Sequence, residues 1–229
     1  MAPCQPQMGH FQHLPKSSPV MIVPSAARLD YGQIAEDCAC GSTEQLAAFL
    51  QQELPYSWRD AYLEMSLRPT DIVRVRYATF EYIYDHYPEL QSTPTTCTDT
   101  SMEPRLVGVL GRSAPQQSKR DDYRLKGWVG PTEEAFGRRW DKGHFMAHSL
   151  GGTVDGSEIN VFVQRRSLNR GWSAAGKRYR QMESYCAAHA GTFCFSRPLY
   201  VDQTAKPAFV EFGLLKGNRE LWIECFDNQ

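Results

Sequence analysis

Three short apolar runs near the C-terminal end of the sequence constrain its fold more than any other feature. They cover residues 192–195, 208–215 and 221–226, and Lys216-Gly217-Asn218 forms a turn between the last two. Short apolar runs bounded by turn residues are typical of β-strands, and a tight turn makes its two strands antiparallel. Together with a further run at residues 106–110, they predict an antiparallel sheet in the second half of the chain.

The first half shows helical signals instead. Ser42-Thr43-Glu44-Gln45 is a capping-box pattern that begins a helix, and Pro55 is expected to end it. A second helix is predicted over residues 57–67, and a third over residues 70–87 because apolar and aromatic side chains recur there three or four residues apart. That third stripe is expected to face a core rather than to stack on nucleobases, and it consists of Val73, Tyr77, Phe80, Tyr84 and Tyr87.

These signals predict an α+β protein in two parts. Residues 91–104 are rich in Ser, Thr and Pro and have the composition of a linker. They follow a mainly helical, acidic N-terminal region, so we place residues 1–104 in one part and residues 105–229 in the other. The N-terminal part shows no motif that assigns it a function, and delivery or regulation of the second part is the working hypothesis.

Charge is unevenly distributed along the 229 residues, although the net charge is only −1. Residues 1–104 carry a net charge of −7, residues 105–180 carry +8 and residues 181–229 carry −2. A basic segment between acidic flanks is typical of a surface that binds a polyanion, but a solvated basic face without a partner has the same composition. Charge alone leaves both interpretations open.

The sequence offers no membrane span and no disulfide framework. The longest apolar run near the N-terminus, Val20-Met21-Ile22-Val23, is far shorter than the roughly 20 residues of a transmembrane helix and too short for the core of a signal peptide. We therefore expect synthesis in the cytoplasm without a cleaved signal and no membrane insertion, with secretion or delivery by another route left open. The seven cysteines are odd in number and scattered, which predicts reduced thiols.

Residues 138–188 carry the most informative pattern, which predicts a strand, a loop, a strand and a helix. The first strand ends near His144, and the second covers residues 160–164. The helix is predicted over residues 167–188, with Asn169 in its first turn. A histidine and an asparagine are thereby expected close to each other.

Those two residue types suit the hydrolysis of a phosphodiester. A neutral imidazole can take a proton from water because its unperturbed pKa is about 6.5, which makes His144 a candidate base. The carboxamide oxygen of Asn169 is a hard ligand that suits Mg²⁺, with Mn²⁺ as an alternative. The positively charged side chains that could contact phosphate oxygens are Arg139, Lys142, Arg165, Arg166 and Arg170.

The order of these motifs resembles the DNA/RNA non-specific endonuclease family, a group of ββα-metal or His-Me finger nucleases. Many of its members are bacterial toxin domains or secreted nucleases. The resemblance covers about residues 138–186 and implies an endonuclease domain in residues 105–229. It rests on Asp141-Lys142-Gly143-His144, Gly151-Gly152, Asn160 with Gln164, and Leu168-Asn169-Arg170-Gly171-Trp172.

The resemblance also implies a role for each matching residue. His144 would be the general base, and Asn169 would be the direct ligand of the metal. Asn160 and Gln164 would help to hold the finger together, and Asp141 would orient the site.

The chain departs from the family pattern at two positions. Lys142 stands where the family usually has arginine, so the positive charge is kept and the bidentate fork is lost. The family commonly has a glutamate eight residues after the metal asparagine, and here that position is Lys177. Glu183 lies about 21 Å further along a continuous helix. The role of the glutamate is therefore unassigned, with Glu158 a weak candidate.

Two neighbouring residues carry less weight. His148 is expected to be structural or to lie at the edge of the substrate, because paired histidines suit zinc better than magnesium. Trp172 is expected in the core.

Three functional hypotheses follow from these observations. The first is Mg²⁺-dependent hydrolysis of DNA, and possibly RNA, with low sequence specificity. The second is a degenerate nuclease that binds nucleic acid without cutting it. The third concerns biology: an antibacterial toxin effector would need an immunity protein, expected to be acidic where it covers the basic segment, and the alternative is a nutritional or housekeeping nuclease.

Overall fold

The computed structural model describes residues 28–38, 41–66, 69–86, 104–114, 136–153 and 158–229. Within them it has four α-helices and eight strands. The helices are α1 (Tyr31–Glu36), α2 (Thr43–Met65), α3 (Arg166–Asn169) and α4 (Ala174–Ala188). The strands are β1 (Ile72–Tyr77), β2 (Phe80–Asp85), β3 (Arg105–Arg112), β4 (Trp140–His144), β5 (Val161–Arg165), β6 (Phe193–Leu199), β7 (Phe209–Leu215) and β8 (Leu221–Asp227).

A six-stranded antiparallel sheet in the order β1-β2-β3-β6-β7-β8 forms the centre of the fold. Strands β4 and β5 form a separate antiparallel pair. The four apolar runs of the sequence form β3, β6 and β7 inside this sheet and β8 at its edge, so the strands predicted from them are confirmed. The mixed α+β class is confirmed as well.

Each face of the sheet is covered by a different part of the chain. Helices α1 and α2 cover one face, where Leu50, Leu54 and Trp58 pack with Leu110 and Phe195. The unit formed by β4, β5, α3 and α4, which we call the hairpin–helix unit, covers the other face. The sheet therefore separates the N-terminal helices from the predicted site.

Helix α2 passes through Pro55, where the sequence predicted that it would end. The predicted capping box is present, because the Ser42 side chain accepts from the Gln45 backbone and the Gln45 side chain accepts from the Ser42 backbone. A proline inside a helix costs about 3 kcal/mol. Burial of Leu54 and Trp58 stabilises the fold by about 1.5–3 kcal/mol for each side chain, and this outweighs the hydrogen bond lost at Pro55.

The helix predicted over residues 70–87 is wrong, because strands β1 and β2 form a hairpin there. Ala78 adopts a positive φ of 50° at its tip. Side chains of β2 alternate between the two faces of the sheet: Phe80 and Tyr82 lie in the core on one side, and Ile83 lies in the core on the other. Residue 87, the last of the predicted stripe, lies outside the described part of the chain.

Strands β2 and β3 pair along their length, from Phe80 opposite Gly111 to Asp85 opposite Arg105. Strands from both sides of the boundary predicted at residue 104 thus lie in one sheet. The delivery or regulatory role of residues 1–104 stays a prediction.

Two further predictions concern thiols and membranes. Cys38, Cys186, Cys194 and Cys225 are free thiols in the described part of the chain. No helix in the described ranges has the length and apolar character needed to cross a bilayer.

Candidate active site

The β4–β5 hairpin sets the register of the motif residues against each other. Asp141 lies opposite Gln164, and His144 lies opposite Val161. Gly143 is required because a Cβ there would stand 2.2 Å from Oε1 of the buried Gln164 side chain. The Gln164 side chain therefore closes over Gly143 and fixes the pairing of the two strands.

Asn160 joins the two ends of the loop between β4 and β5. Its side chain is fully buried, accepts from the Met146 backbone N–H at 2.9 Å and donates to the carbonyls of Met146 and Thr153 at 2.9 and 2.8 Å. Three hydrogen bonds from one carboxamide hold the chain after His144 against the start of β5.

The helix predicted over residues 167–188 is interrupted. Helix α3 ends at Asn169, Gly171 takes a φ of +68°, and α4 begins after Ser173, whose side chain accepts from the Gly176 backbone. Only glycine adopts this left-handed conformation without strain, so the chain turns there. Asn169 consequently lies at the end of a short helix rather than in the first turn of a long one.

Asp141 accepts hydrogen bonds from three side chains at the place where the β4–β5 hairpin meets α3. Arg166 donates to Oδ1 at 2.8 Å, and Arg170 donates to Oδ2 at 2.7 Å and to Oδ1 at 3.1 Å. Asn169 donates from Nδ2 to Oδ2 at 3.3 Å. We call these four residues the Asp141 cluster.

The cluster keeps Asp141 ionised. Partial burial alone would raise the pKa of Asp141, but hydrogen bonds from Arg170, Arg166 and Asn169 outweigh burial and lower it. Both carboxylate oxygens accept hydrogen bonds from these side chains, so the charge of Asp141 is compensated within the cluster.

The predicted base, His144, is on the same strand as Asp141, three residues further along β4. Strand alternation places Lys142 and His144 on one face of β4 and Asp141 with Gly143 on the other. Burial lowers the pKa of Lys142. The structure thus brings Asp141, Arg166, Asn169 and Arg170 into contact. His144 lies on the opposite face of β4 from Asp141, and its role as a base stays a prediction.

The two remaining arginines predicted to bind substrate are placed differently. The side chain of Arg165 lies 3.6 Å from the carboxylate of Asp227. The side chain of Arg139 is exposed, and its backbone carbonyl accepts from the Arg166 N–H at 2.7 Å.

Several residues of this region could not be found from local sequence patterns. Asn228, fully buried, accepts from the Arg165 N–H and donates to the Val163 carbonyl, which attaches the chain end to β5. Lys206 lies 3.6 Å from the centre of the Trp140 ring. Both come from distant segments, so no spacing signal connects them with the motif.

Arg180 is a third such residue, and it shows how α4 folds back. Its guanidinium donates to the Asn169 carbonyl at 2.8 Å, and its stem would meet a Cβ at Gly171. A continuous helix would place residue 180 about 16 Å along the axis from residue 169. The 21 Å separation of Asn169 and Glu183 assumed one continuous helix between them, and that assumption is wrong.

The carboxylate role left open by Lys177 stays unassigned. Lys177 is exposed on α4. Burial raises the pKa of Glu183 to about 7 against the opposing effect of Arg180, and among the described residues no hydrogen bond or ion pair joins Glu183 to the Asp141 cluster. The side chain of Glu158 lies outside the described part. His148 begins a 3-10 turn at His148–Leu150.

Trp172 was expected in the core, and that prediction is wrong. Its side chain is 64% exposed. The turn at Gly171 rotates the chain so that the backbone N–H of Trp172 bonds to the Ser167 carbonyl while the indole points outward.

The donor set fits a magnesium ion held mainly by water and substrate. Across the described ranges no group of three His, Cys, Asp or Glu side chains could hold a metal. Asn169 uses Nδ2 toward Asp141, so Oδ1 is the atom of its carboxamide that could bind a cation. Mg²⁺ commonly takes only one or two protein ligands and completes its shell with waters and phosphate oxygens. A single carboxamide is compatible with that mode and not with a zinc site.

Comparison with known proteins adds little to this geometry. No family model and no curated protein matches the chain. A solved structure described as an extracellular endonuclease is similar at 14% sequence identity and a TM-score of 0.34, over 71% of this chain and 80% of that chain. A resemblance at this level carries no information about the reaction, so the function is argued from the site.

Proposed function

We propose that this chain is a metal-dependent endonuclease that hydrolyses phosphodiester bonds in DNA and possibly RNA. The observation that carries the proposal is the contact between Asn169 and Asp141, which joins a hairpin and a helix around one oriented carboxamide. It is supported by the motif order of residues 138–186.

Asn169 would present its oxygen to the cation. Because Asp141 accepts from Nδ2, the opposite atom of the carboxamide faces away from the carboxylate. When bound there, Mg²⁺, or Mn²⁺ in its place, would supply positive charge to the phosphoryl group during hydrolysis. A neutral ligand leaves the full charge of the cation for that purpose.

His144 would take the proton from the attacking water. A neutral imidazole is competent near neutral pH, and its position at the end of β4 keeps it on the face that also carries Lys142. Lys142 would contribute a point charge toward a phosphate oxygen.

The arginines would bind the backbone of the substrate. Arg170 is about half exposed while it holds Asp141, and Arg139 is exposed. Arg166 and Arg165 complete the positive surface, although each already faces a carboxylate. Such contacts recognise the charge of the phosphates and not the identity of the bases, so we expect low sequence specificity and strong salt dependence.

The decisive test is cleavage of plasmid DNA and of RNA with Mg²⁺, for the natural chain and His144→Ala. We expect nicking that EDTA stops and that the variant loses by at least 100-fold, since general base catalysis contributes about 10²–10⁴. The matched control is His86→Ala, an exposed histidine after β2, which should cut normally. Full activity of His144→Ala would reject the base assignment, and cutting in EDTA would reject the metal.

A second candidate function is binding of nucleic acid without cleavage. The observation in its favour is that Lys177 stands where a carboxylate is expected and that Asp141 is fully occupied by donors. Retention of labelled DNA without any cutting in Mg²⁺ or Mn²⁺ would favour it.

A toxin effector with an acidic immunity partner is the biological context that we propose for the active enzyme. Growth arrest and loss of cellular DNA on expression would support it. Harmless expression of a protein that cuts DNA in vitro would favour a nutritional or housekeeping nuclease.

A further inference from the structure

Trp172 is the most exposed large hydrophobic side chain among the described residues. It stands three residues after Asn169, in the turn between α3 and α4. Its backbone is fixed by the bond from its N–H to the Ser167 carbonyl at 2.9 Å, so the indole projects from a defined place. An isolated surface tryptophan beside a charged cluster has a flat, apolar face that water does not satisfy.

Arg170 connects this indole to the Asp141 cluster. Its guanidinium is 5.2 Å from the centre of the Trp172 ring, while its edge donates to both oxygens of Asp141. The cation–π contact and the paired hydrogen bonds act on different sides of one planar group. The indole is thereby held next to the place where the proposed enzyme would bind a phosphate.

A π-face beside guanidinium groups matches the chemistry of one nucleotide. The phosphate is complementary to the arginines, and a base that has left its stack can lie on the indole. Bases inside a duplex have no free face, whereas those of a single strand do. We propose that Trp172 is a stacking platform for an unpaired nucleobase, so that the preferred substrate is single-stranded or locally unpaired nucleic acid. This inference rests on the proposed nuclease function.

The experiment measures binding rather than cleavage. A labelled twelve-residue deoxythymidine strand and a strand of equal length without bases are titrated in EDTA against the natural chain, Trp172→Ala and Trp172→Phe. The natural chain should prefer the strand with bases. Trp172→Ala should weaken binding of that strand by roughly 5- to 150-fold, leave binding of the baseless strand unchanged and so remove the preference. Trp172→Phe should retain part of it.

The matched control is Tyr56→Ala. Tyr56 is 52% exposed and has Arg59 and Arg74 at 5.9 and 5.8 Å from its ring centre, but it lies on α2, on the other face of the sheet. It should bind both strands as the natural chain does. Equal binding of the deoxythymidine strand by the natural chain and Trp172→Ala would overturn the platform, as would a loss in Tyr56→Ala of the same size.

The outcome separates the two proposals. Plasmid cutting in Mg²⁺ with unchanged binding by Trp172→Ala would overturn the platform and leave the nuclease. A base-dependent effect of Trp172→Ala without any cutting would support the platform and reject hydrolysis. Failure of the natural chain to bind either strand would also overturn the inference.

Discussion

At Asp141 one carboxylate accepts four hydrogen bonds from three side chains. A carboxylate has room for about four such donors, so it is filled without a metal. The guanidinium groups of Arg166 and Arg170 both contact Asp141, and they would repel each other if its negative charge were absent. The orientation of Asn169 and the spacing of Arg166 and Arg170 therefore depend on one ionised side chain.

Asp141→Asn should disorder this cluster. The amide loses the charge and points an N–H₂ at one of the donors, so we expect cleavage to fall at least 10-fold and unfolding to become easier by about 1–3 kcal/mol. Asp60→Asn is the control, since Asp60 pairs with Arg59 on the surface and such pairs contribute about 0–1 kcal/mol. Urea unfolding and plasmid nicking measure both effects. Normal nicking by Asp141→Asn would contradict the orienting role.

The raised pKa of Glu183 predicts that the free energy of unfolding depends on pH. Burial raises its pKa in the fold to about 7, above the ordinary value near 4.3, so the unfolded chain releases this proton first. Stability is therefore lost as the pH rises from about 4.3 to 7. Glu183→Gln should be more stable than the natural chain by about 1–3 kcal/mol at pH 8 and equal to it at pH 4.

Urea unfolding at the two pH values measures this difference. Glu53→Gln, on an exposed position of α2, is the control and should change little at either pH. An equal effect of Glu183→Gln at pH 4 and pH 8 would contradict a raised pKa of Glu183 in the folded state.

At the scale of the element, the hairpin–helix unit depends on two glycines for different reasons. Gly143 makes room for the Gln164 side chain across the hairpin, and Gly171 turns the chain between α3 and α4. The first is a matter of space and the second of backbone conformation. The motif therefore specifies geometry as much as chemistry.

Gly143→Ala should damage the hairpin. Its Cβ would stand 2.2 Å from Gln164 Oε1 and 2.5 Å from Gln164 Cβ, so the strands must separate or the buried side chain must move. We expect a loss of about 1–3 kcal/mol in unfolding free energy and a parallel loss of nicking. Gly217→Ala, where nothing lies within 4 Å, is the control. Unchanged melting of Gly143→Ala would contradict the packing.

Element predictions succeeded where local pattern and tertiary packing agree. The capping box at Ser42 and the inner strands follow from neighbours in sequence. The 70–87 segment satisfied a helical and a strand period at once, and only pairing of β2 with β3 decides between them. Helix α2 is a second case in which tertiary packing decides. Pro55 predicted the end of the helix, but α2 continues through it because the neighbouring side chains are buried against the sheet.

At the scale of the molecule, the sheet carries a buried polar network on the face under α1 and α2. Arg197 lies 3.2 Å from Glu211, which accepts from Tyr31 at 2.6 Å, and Trp58 donates to the Tyr31 hydroxyl at 3.2 Å. Arg197 is 3% exposed. The network ties the N-terminal helices to strands β6 and β7, so these helices belong to the stability of the whole fold.

Arg197→Met should be strongly destabilising. It leaves a buried carboxylate without its cation, which typically costs about 3–5 kcal/mol. Arg178→Met is the control, because the Arg178 and Glu224 side chains are 48% and 34% exposed and the pair contributes about 1 kcal/mol at most. Denaturant unfolding compares the two. Equal losses would show that the network does not hold the helices.

Local chemistry along the chain was enough to predict strands β3, β6, β7 and β8, the cap of α2 and the strand–loop–strand–helix order around His144 and Asn169. These depend on residues a few positions apart, whose hydrogen bonds and periodicity are visible in the sequence. Tertiary structure alone decided the hairpin at 72–85, the break at Gly171 and the exposure of Trp172. Burial and long-range hydrogen bonds set those features, and their partners, such as Asn228 for β5 and Arg180 for Asn169, are brought close only when the chain folds.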